Sequence, residues 1–361
     1  MKILIAGGGT GGHLTPALAL ADAFRKARPE LEVMLVGAER GIEAQVLPRH
    51  PYPFTLLPLH PIYRHAWWKN LQWPVLAVSL WRKIGALLAE THPVLVVGTG
   101  GYASGPVVYH AQRSGIPTAI QESDAFPGIA TRWLAGNARQ IHLGFPEARE
   151  RIRPGPETQV FAFGNPIKPP EPGDRGAAVR DLGLDPDRPT VLVFGGGQGA
   201  RAINYAVAGA LEHGHLEAVN LIWGTGSANF GELSGYAKPG RVVAQGYFDP
   251  MTPVYRAADL VVSRAGAVTI AEVCAWGKAS VLIPLPTAAA NHQVENARAL
   301  ASAGAAVMLE ESGLTPQSLA RTIGDLVADA GRRESLAAAA RGRGHPNSSQ
   351  EVVSQLLTLI S

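Results

Sequence analysis

A histidine directly follows a glycine-rich turn near the start of the chain, and the two features together suggest anion binding beside acid–base chemistry. The turn and its histidine read GGGTGGH over residues 7–13, after the apolar run Ile3–Ile5. Backbone amides of a glycine turn that opens a helix can cradle phosphate oxygens. His13 would meet the positive end of the helix dipole, which favours a neutral imidazole able to accept a proton.

Two other interpretations of this turn stay open. Gly7, Gly9 and Gly12 match the pattern GxGxxG, and glycine could simply permit the backbone of a tight turn. The pattern also fits the dinucleotide fingerprint of an NAD- or FAD-dependent oxidoreductase, with Glu39 as the acidic residue after the second strand. An oxidoreductase leaves His13 without a role.

Two further glycine turns follow apolar runs elsewhere in the chain. The first reads GTGGYASGP over residues 98–106, and the second reads GGGQGA over residues 195–200. Three such turns at the carboxyl ends of strands predict that several anionic or hydroxyl-rich groups bind together.

Polar residues in the second half fit a nucleotide. Gly266–Ala267 stands at a predicted helix N-terminus, where amides can meet a phosphate. Glu272 follows two turns later and could accept both hydroxyls of a ribose, although a solvated helix-face glutamate is the commoner fate. His292, Gln293 and Asn296 begin the next helix, either as ligand contacts or as a capped helix on the surface.

Short apolar runs alternate with helical patterns along the chain, which is typical of parallel sheets covered on both faces. A stretch rich in proline and glycine, 164–176, separates two such halves, and each half opens with strand, glycine turn and helix. We therefore predict an α/β fold of two doubly wound, Rossmann-like domains that face each other across a cleft. Residues 1–163 with a C-terminal amphipathic helix, 347–361, would form one domain and residues 164–346 the other. The predicted strands are 2–7, 32–37, 94–99, 118–123, 141–145, 160–164, 189–194, 220–226, 241–247, 259–266, 279–286 and 305–311.

Composition excludes several classes of protein. The 361 residues are 46% hydrophobic and 17% charged with a net charge of +3, which is too little positive charge for a nucleic-acid binder. Cys274 is the only cysteine, so we expect no intrachain disulfide, no metal site and a reducing cytoplasm. The N-terminus does not resemble a signal peptide, and no apolar run is long enough to span a bilayer.

Tryptophan and basic residues alternate over 60–88. This pattern is typical of a segment in a membrane interface, and we expect it to dock on the cytoplasmic leaflet. A buried helix with a loop is the alternative, while the modest net charge argues against single-stranded nucleic acid. The residues concerned are Arg64, Trp67, Trp68, Lys69, Trp73, Trp81, Arg82 and Lys83.

Seven segments together resemble the MurG family, the bacterial UDP-N-acetylglucosamine:N-acetylmuramyl-(pentapeptide) pyrophosphoryl-undecaprenol N-acetylglucosamine transferases of the GT-B architecture. They occur in the family's order and cover nearly the whole chain. The segments are GGGTGGHLTPALALA (7–21), GTGGYASGP (98–106), FGNPIK (163–168), FGGGQGARAIN (194–204), GYFDPM (246–251), SRAGAVTIAE (263–272) and NHQVENA (291–297).

The resemblance implies a role for each matching residue. His13 would be the general base, and the first domain would bind the lipid-linked acceptor, with its diphosphate on Gly9, Thr10, Gly100, Gly101 and Tyr102. The donor UDP-GlcNAc would contact Thr10, Gly11, Gly12, Asp124, Lys168, Gly197, Gln198, Phe248, Gly266, Ala267, Glu272, His292 and Gln293, with Asn296 and Arg201 as further candidates.

The reaction implied is an inverting transfer of N-acetylglucosamine to the C4 hydroxyl of N-acetylmuramic acid, without a metal or another cofactor. It belongs to peptidoglycan synthesis, and hence to cell shape, cell division and the inner face of the cell membrane. A nucleotide-sugar-binding scaffold protein and an epimerase on the same fold remain as alternatives.

The chain departs from the family pattern at three places. Gln121–Asp124 stand where the family usually reads His-Glu-Gln-Asn, and we expect them to face the sugar-binding cleft. Gly197 often is serine in the family, and Lys168 often is arginine. None of these departures touches His13 or Glu272.

Overall fold

The computed structural model describes residues 1–59, 73–171 and 173–360, which form two compact units. The first unit is Met1–Lys168 with Asn347–Ser361, and the second is Pro169–Pro346. The chain therefore leaves the first unit after Lys168, later than the boundary predicted after Phe163. The reason is that 164–168 is tied to the first unit: Asn165 Nδ2 donates to the Ser123 carbonyl at 2.9 Å, and the Ile167 carbonyl accepts from Ser349 at 2.9 Å.

The first unit is built on a seven-stranded parallel sheet of order β3-β2-β1-β4-β5-β6-β7. Alternate residues of the interior strand β1 face two separate cores: Ile3 and Ile5 lie on one side, and Leu4 and Ala6 lie on the other. This explains why the strand reads as an unbroken apolar run. The strands are β1 (Lys2–Gly7), β2 (Glu32–Ala38), β3 (Phe54–Leu57), β4 (Pro93–Gly100), β5 (Thr118–Glu122), β6 (Gln140–Leu143) and β7 (Gln159–Phe161).

In the described part of the first unit, five α-helices connect these strands and cover both faces of the sheet. They are α1 (Gly11–Ala27), α2 (Glu43–Val46), α3 (Trp73–Thr91), α4 (Gly101–Arg113) and α5 (Ile129–Leu134). Strand β3 is absent from the sequence prediction, because it is short, lies at the edge of the sheet and follows two prolines.

The second unit repeats the architecture with a six-stranded parallel sheet of order β10-β9-β8-β11-β12-β13. Its strands are β8 (Thr190–Phe194), β9 (Asn220–Gly224), β10 (Val242–Gln245), β11 (Leu260–Ser263), β12 (Ala279–Leu282) and β13 (Val307–Met308). Its helices are α6 (Arg175–Asp181), α7 (Arg201–Glu212), α8 (Phe230–Leu233), α9 (Thr252–Ala257), α10 (Ala267–Ala275), α11 (His292–Ser302), α12 (Pro316–Ala328) and α13 (Ala330–Arg343).

The C-terminal helix α14 (Ser348–Leu357) returns to the first unit and packs against α1. Val352, Val353 and Leu356 are buried in the same core as Leu20 and Phe24. The amphipathic pattern predicted from the sequence therefore supplies part of the first unit's core.

Within the described ranges, no helix combines the length and the apolar character that crossing a membrane requires.

Candidate active site

The glycine turns lie at the topological switch point of each sheet. In the first unit β1 and β4 are neighbours, although β1 leads to β2 and β4 leads to β5. In the second unit β8 and β11 are neighbours in the same way. Ligands of doubly wound sheets bind outside the carboxyl ends of the strands at such a point. The three predicted glycine turns follow β1, β4 and β8, and the start of α10 follows β11. The fold therefore places all four segments where ligand binding is expected.

His13 lies in the first turn of α1, where two threonines contact it. Its Nδ1 lies 3.1 Å from Thr10 Oγ1, and its carbonyl oxygen accepts from Thr99 Oγ1 at 2.9 Å. Thr10 is the extended N-cap residue, and its side chain makes no hydrogen bond to a helix amide. The Thr10 hydroxyl therefore serves the imidazole instead of capping the helix.

The second glycine turn closes directly on this histidine. Gly8 N–H donates to the Gly100 carbonyl at 3.4 Å. A Cβ at Gly100 would lie 2.6 Å from His13 Cδ2, and one at Gly101 would lie 3.0 Å from His13 Nδ1 and 1.8 Å from the Gly8 oxygen. Both glycines have positive φ, +99° and +76°. Glycine is thus required at both positions by backbone conformation and by close approach.

Tyr102 packs against the first turn from α4. A Cβ at Gly9 would lie 2.4 Å from Cε1 of the Tyr102 ring. The structure therefore brings together the residues predicted for the acceptor diphosphate: Gly9, Thr10, Gly100, Gly101 and Tyr102. The amides of Gly11 and Gly12 open α1, where helix geometry leaves them without a carbonyl partner in the helix.

A buried acid that the sequence analysis missed, Glu43, hydrogen-bonds to the backbone of the first glycine turn. Glu43 is fully buried, and its Oε1 accepts from Gly9 N–H at 2.7 Å and from Ala38 N–H at 3.2 Å. Side chains at Gly8 or Gly41 would overlap the Glu43 carboxylate. The Gly9 amide is consequently turned inward and unavailable to a phosphate, which leaves Gly9 to contribute only its lack of a side chain.

Glu39, the acid expected for a dinucleotide ribose, is exposed after β2, and its amide donates to the Leu57 carbonyl at 2.9 Å. Glu43, rather than Glu39, is the acid in contact with the turn. The only local signal for Glu43 was a single acid among apolar residues in a short helical segment.

The segment 121–124, which we expected to face the sugar-binding cleft, is buried except at Asp124. Gln121 and Ser123 are buried, and Gln121 Nε2 contacts the Gly164 carbonyl at 3.4 Å. The reason is that the carboxyl end of β5 packs against 164–165, so only Asp124 of these four residues is partly exposed.

Glu122 organises the loop that follows β5. Its carboxylate accepts from the amides of Asp124 and Gly128, each at 3.0 Å. Burial, and to a smaller extent the Asp124 charge, raises the pKa of Glu122 to about 7. Protonation of Glu122 therefore changes the strength of the hydrogen bonds that hold the loop carrying Asp124.

The turn of the second unit is open on its outer side. Gly196, Gly197 and Gln198 are exposed, and nothing lies within 4 Å of where a Gly196 Cβ would stand. Gly199 closes the turn from inside: its amide donates to the Gly196 carbonyl at 2.9 Å, and its φ is +78°. Arg201 opens α7 and donates to Tyr205 Oη at 2.9 Å.

Helix α10 brings a partly buried acid, Glu272, to this region. Gly266 is its extended N-cap residue and Ala267 its first residue. Glu272 Oε2 accepts from Tyr255 Oη at 2.9 Å, and burial raises the pKa of Glu272 to about 7 although this hydrogen bond lowers it. A carboxylate that titrates near neutral pH is typical of functional sites as well as of structural networks.

Two aromatic residues stand beside the open turn. Tyr247 is 58% exposed, and a Cβ at Gly197 would lie 3.8 Å from its ring. Burial raises the pKa of Tyr247, and the charges of Asp249 and Glu272 raise it further. Phe248 is buried over Gly224 at the end of β9. The sequence analysis selected Phe248 and missed Tyr247, its exposed neighbour.

Two of the polar side chains at the start of α11, Gln293 and Asn296, make hydrogen bonds within the protein. Gln293 Oε1 accepts from the Leu285 amide at 3.0 Å, which leaves its Nε2 as the donor for a ligand. Asn296 is fully buried, and its Nδ2 donates to the Ala265 carbonyl at 3.2 Å. This side chain therefore holds the segment before Gly266, and the assignment of Asn296 as a further sugar contact stays a prediction. His292 is partly exposed at the first position of α11.

Lys168 is exposed at the end of the first unit, whereas the sequence analysis placed it in the second domain. No group of three histidine, cysteine or acidic side chains able to hold a metal occurs in the part of the chain that the structure describes.

The tryptophan-rich segment is described only in part. Trp67 and Trp68 lie outside the described residues, with Arg64 and Lys69. On α3, Trp81 is 43% exposed beside exposed Arg82 and Lys83, and its ring stacks on His110 with centroids 3.9 Å apart.

Comparison with known proteins decides between the open interpretations. The Glycosyltransferase family 28 N-terminal domain matches residues 3–143, and the Glycosyltransferase family 28 C-terminal domain matches residues 190–352. Relatives from Chlorobaculum parvum and Chlorobaculum tepidum are 43% and 41% identical, over 99% of each pair of chains. Both are named UDP-N-acetylglucosamine--N-acetylmuramyl-(pentapeptide) pyrophosphoryl-undecaprenol N-acetylglucosamine transferase. The crystal structure of Acinetobacter baumannii MurG is similar with a TM-score of 0.78, 28% identity and 99% coverage of both chains.

The chain belongs to the MurG family. The predicted GT-B fold class, two Rossmann-like domains with parallel sheets, is thereby confirmed. MurG membership also makes the chain a glycosyltransferase, and nothing in these matches supports the oxidoreductase considered for the GxGxxG pattern.

Proposed function

We propose that the protein transfers N-acetylglucosamine from UDP-N-acetylglucosamine to the C4 hydroxyl of lipid-linked N-acetylmuramyl-pentapeptide, with inversion at the anomeric carbon. The similarity to named MurG relatives along nearly the whole chain carries this proposal. The positions of the glycine turns at both switch points support it, because the reaction needs two phosphate sites. The product would be the lipid-linked disaccharide of peptidoglycan synthesis, and loss of the enzyme would affect cell shape and division.

The first unit would bind the acceptor. Its diphosphate would meet the amides of Gly11 and Gly12 at the positive end of α1, beside Thr10, Gly100, Gly101 and Tyr102. Because the Gly9 amide donates to Glu43, the backbone amides that can bind the diphosphate at this turn are those at the start of α1.

His13 would be the general base for the attacking hydroxyl. In our proposal Nδ1–H donates to Thr10 Oγ1, which assigns the basic lone pair to Nε2. The C4 oxygen attacks the anomeric carbon as its proton passes to Nε2, and the bond to UDP breaks. The transition state resembles the oxocarbenium ion of glycoside hydrolysis.

The second unit would bind the donor. Glu272 would accept the ribose hydroxyls, and the backbone at Phe248 would pair with the uracil. Gly197, Gln198, Gly266 and Ala267 would surround the diphosphate, while His292 and Gln293 would meet the sugar. Asp124, Lys168 and the α1 turn complete the proposed donor set from the first unit. Amides at the start of α10 would stabilise the charge that develops on departing UDP.

The test is transfer of labelled N-acetylglucosamine from UDP-N-acetylglucosamine to a prenyl-pyrophosphoryl-muramyl-peptide. We expect turnover by the wild type and a loss of roughly 10²- to 10⁴-fold in His13→Ala. His215→Ala, an exposed histidine of the second unit, is the matched control. Equal turnover in both variants would remove His13 as the base, and no transfer by the wild type would refute the proposed reaction.

We further propose peripheral binding to the cytoplasmic membrane leaflet through 60–88. Exposed Val78 and Trp81 beside Arg82 and Lys83 support it, since apolar and basic groups together favour an anionic interface. Trp81→Ser should reduce sedimentation with phosphatidylglycerol vesicles, while Tyr205→Ser, a similarly exposed aromatic of the second unit, should not. Equal sedimentation of the two variants would refute a role for Trp81.

A further inference from the structure

A buried tyrosine contacts the acid that we assign to the ribose, and neither the motif nor the resemblance pointed to it. Tyr255 lies on α9 and is 1% exposed. Its hydroxyl donates to Glu272 Oε2 on α10 at 2.9 Å. The contact joins two helices that follow different strands of the second sheet.

The position of this hydroxyl is fixed by aromatic packing. The Tyr255 ring stacks on Trp276 with centroids 5.8 Å apart and meets Phe194 edge-on at 6.1 Å. Phe194 is the last residue of β8, directly before the open glycine turn. The ring therefore has little freedom, and its hydroxyl is a rigid donor beside the proposed nucleotide site.

We propose that Tyr255 is a positioning residue for donor binding: it orients the Glu272 carboxylate so that the remaining acceptor positions receive the two ribose hydroxyls. An ionised carboxylate offers about four acceptor positions. Tyr255 occupies one of them on Oε2, which leaves enough for both hydroxyls. This inference rests on the proposed function, because it acts through Glu272 as the ribose ligand.

The electrostatics of the pair support the same role. Burial raises the pKa of Glu272, and the hydrogen bond from Tyr255 opposes that rise. The Glu272 carboxylate also interacts electrostatically with Tyr247, in the segment after β10. Tyr255 thus favours the ionised carboxylate, which is the form that accepts from a ribose.

The test is Tyr255→Phe, which keeps the ring packing and removes only the hydroxyl. Binding of UDP and of 2′-deoxy-UDP is measured by calorimetry, alongside the KM and kcat for UDP-N-acetylglucosamine. We expect the preference for UDP over the deoxynucleotide to fall roughly 2- to 10-fold, with KM raised and kcat nearly unchanged. Tyr236→Phe is the matched control, since its hydroxyl contacts Glu212 in the same unit.

Each outcome has one meaning. Equal weakening of both nucleotides by Tyr255→Phe, or no weakening, would overturn the positioning role. Glu272→Ala separates this failure from that of the proposed site, because it should abolish the ribose preference. If Glu272→Ala leaves the preference for UDP over 2′-deoxy-UDP intact, both the ribose assignment and the role of Tyr255 are refuted. If Glu272→Ala abolishes the preference and Tyr255→Phe leaves it intact, the ribose assignment is kept and only the positioning role of Tyr255 is refuted.

Discussion

Replacing Gly101 by alanine tests whether the two turns of the first unit form one site around His13. A Cβ at this position would stand 1.8 Å from the Gly8 carbonyl oxygen and 3.0 Å from His13 Nδ1. The turn that begins α1 must then move by roughly 1 Å or more to restore van der Waals separation. A displacement of about 1 Å in a positioned catalytic group costs on the order of 10²-fold in rate.

Gly115→Ala is a matched control in the same unit. Gly115 has φ of +73°, close to the +76° of Gly101, but nothing lies within 4 Å of its would-be Cβ. Both variants carry the cost of placing alanine in the left-handed region, about 1–2 kcal/mol. The difference between them therefore isolates the close approach to Gly8 and His13.

The assay is kcat/KM for N-acetylglucosamine transfer, with urea unfolding to show that each variant is folded under the conditions used. We expect Gly101→Ala to lose roughly 10²-fold relative to Gly115→Ala. It should also be less stable than the control by about 1–3 kcal/mol, the usual cost of overpacking. If Gly101→Ala folds and retains the activity of the control, the geometry around His13 does not limit the reaction.

Four further substitutions test the supporting structure. Glu43→Gln should lower the free energy of unfolding in urea by about 1–3 kcal/mol, because it buries unmatched amide donors, whereas exposed Glu39→Gln should not. The folded-state pKa of Glu122, about 7 against an ordinary 4.5, predicts that wild-type stability falls as pH rises through that window, and Glu122→Gln should remove this component from urea titrations at several pH values. Leu356→Ala should cost about 2–5 kcal/mol in thermal or urea unfolding, because Leu356 is fully buried between α14 and α1. Gly197→Ser should leave the melting temperature unchanged, because its φ is ordinary and its nearest neighbour is 3.8 Å away; a large loss would contradict the open turn.

The sequence predicted the layered fold well because the signals for it are local. A buried parallel strand reads as an apolar run, and the turn after it reads as glycine. All twelve predicted runs overlap a strand of the two sheets, and among the strands of the described ranges only β3 was missed. The order of the strands is not local, so the switch points that bring turns together became visible only in the structure.

Two contacts at the candidate site join residues that the sequence analysis did not connect. Glu43 contacts Gly9 across a separation of 34 residues, and Tyr255 contacts Glu272 across 17. Neither pair has a spacing that marks it on one helix or strand. Gln121 and Asn296 show the same limit: their side chains hydrogen-bond to backbone carbonyls that are distant in the sequence, which local patterns do not reveal.

The glycines of the two units have different surroundings, and this difference distinguishes the two proposed sites. In the first unit a shift in register between Ala6 and Gly7 places Gly7 opposite Gly100, so that the turns press on each other and on His13. In the second unit β8 and β11 pair regularly up to Phe194 and Ser263, and the turn beyond them stays open at Gly196 and Gly197. Close contact fixes the position of a catalytic side chain, whereas open space at exposed backbone amides is what a diphosphate needs. The contrast supports our proposal that the reacting base belongs to the first unit and that the second unit binds the diphosphate of the leaving group.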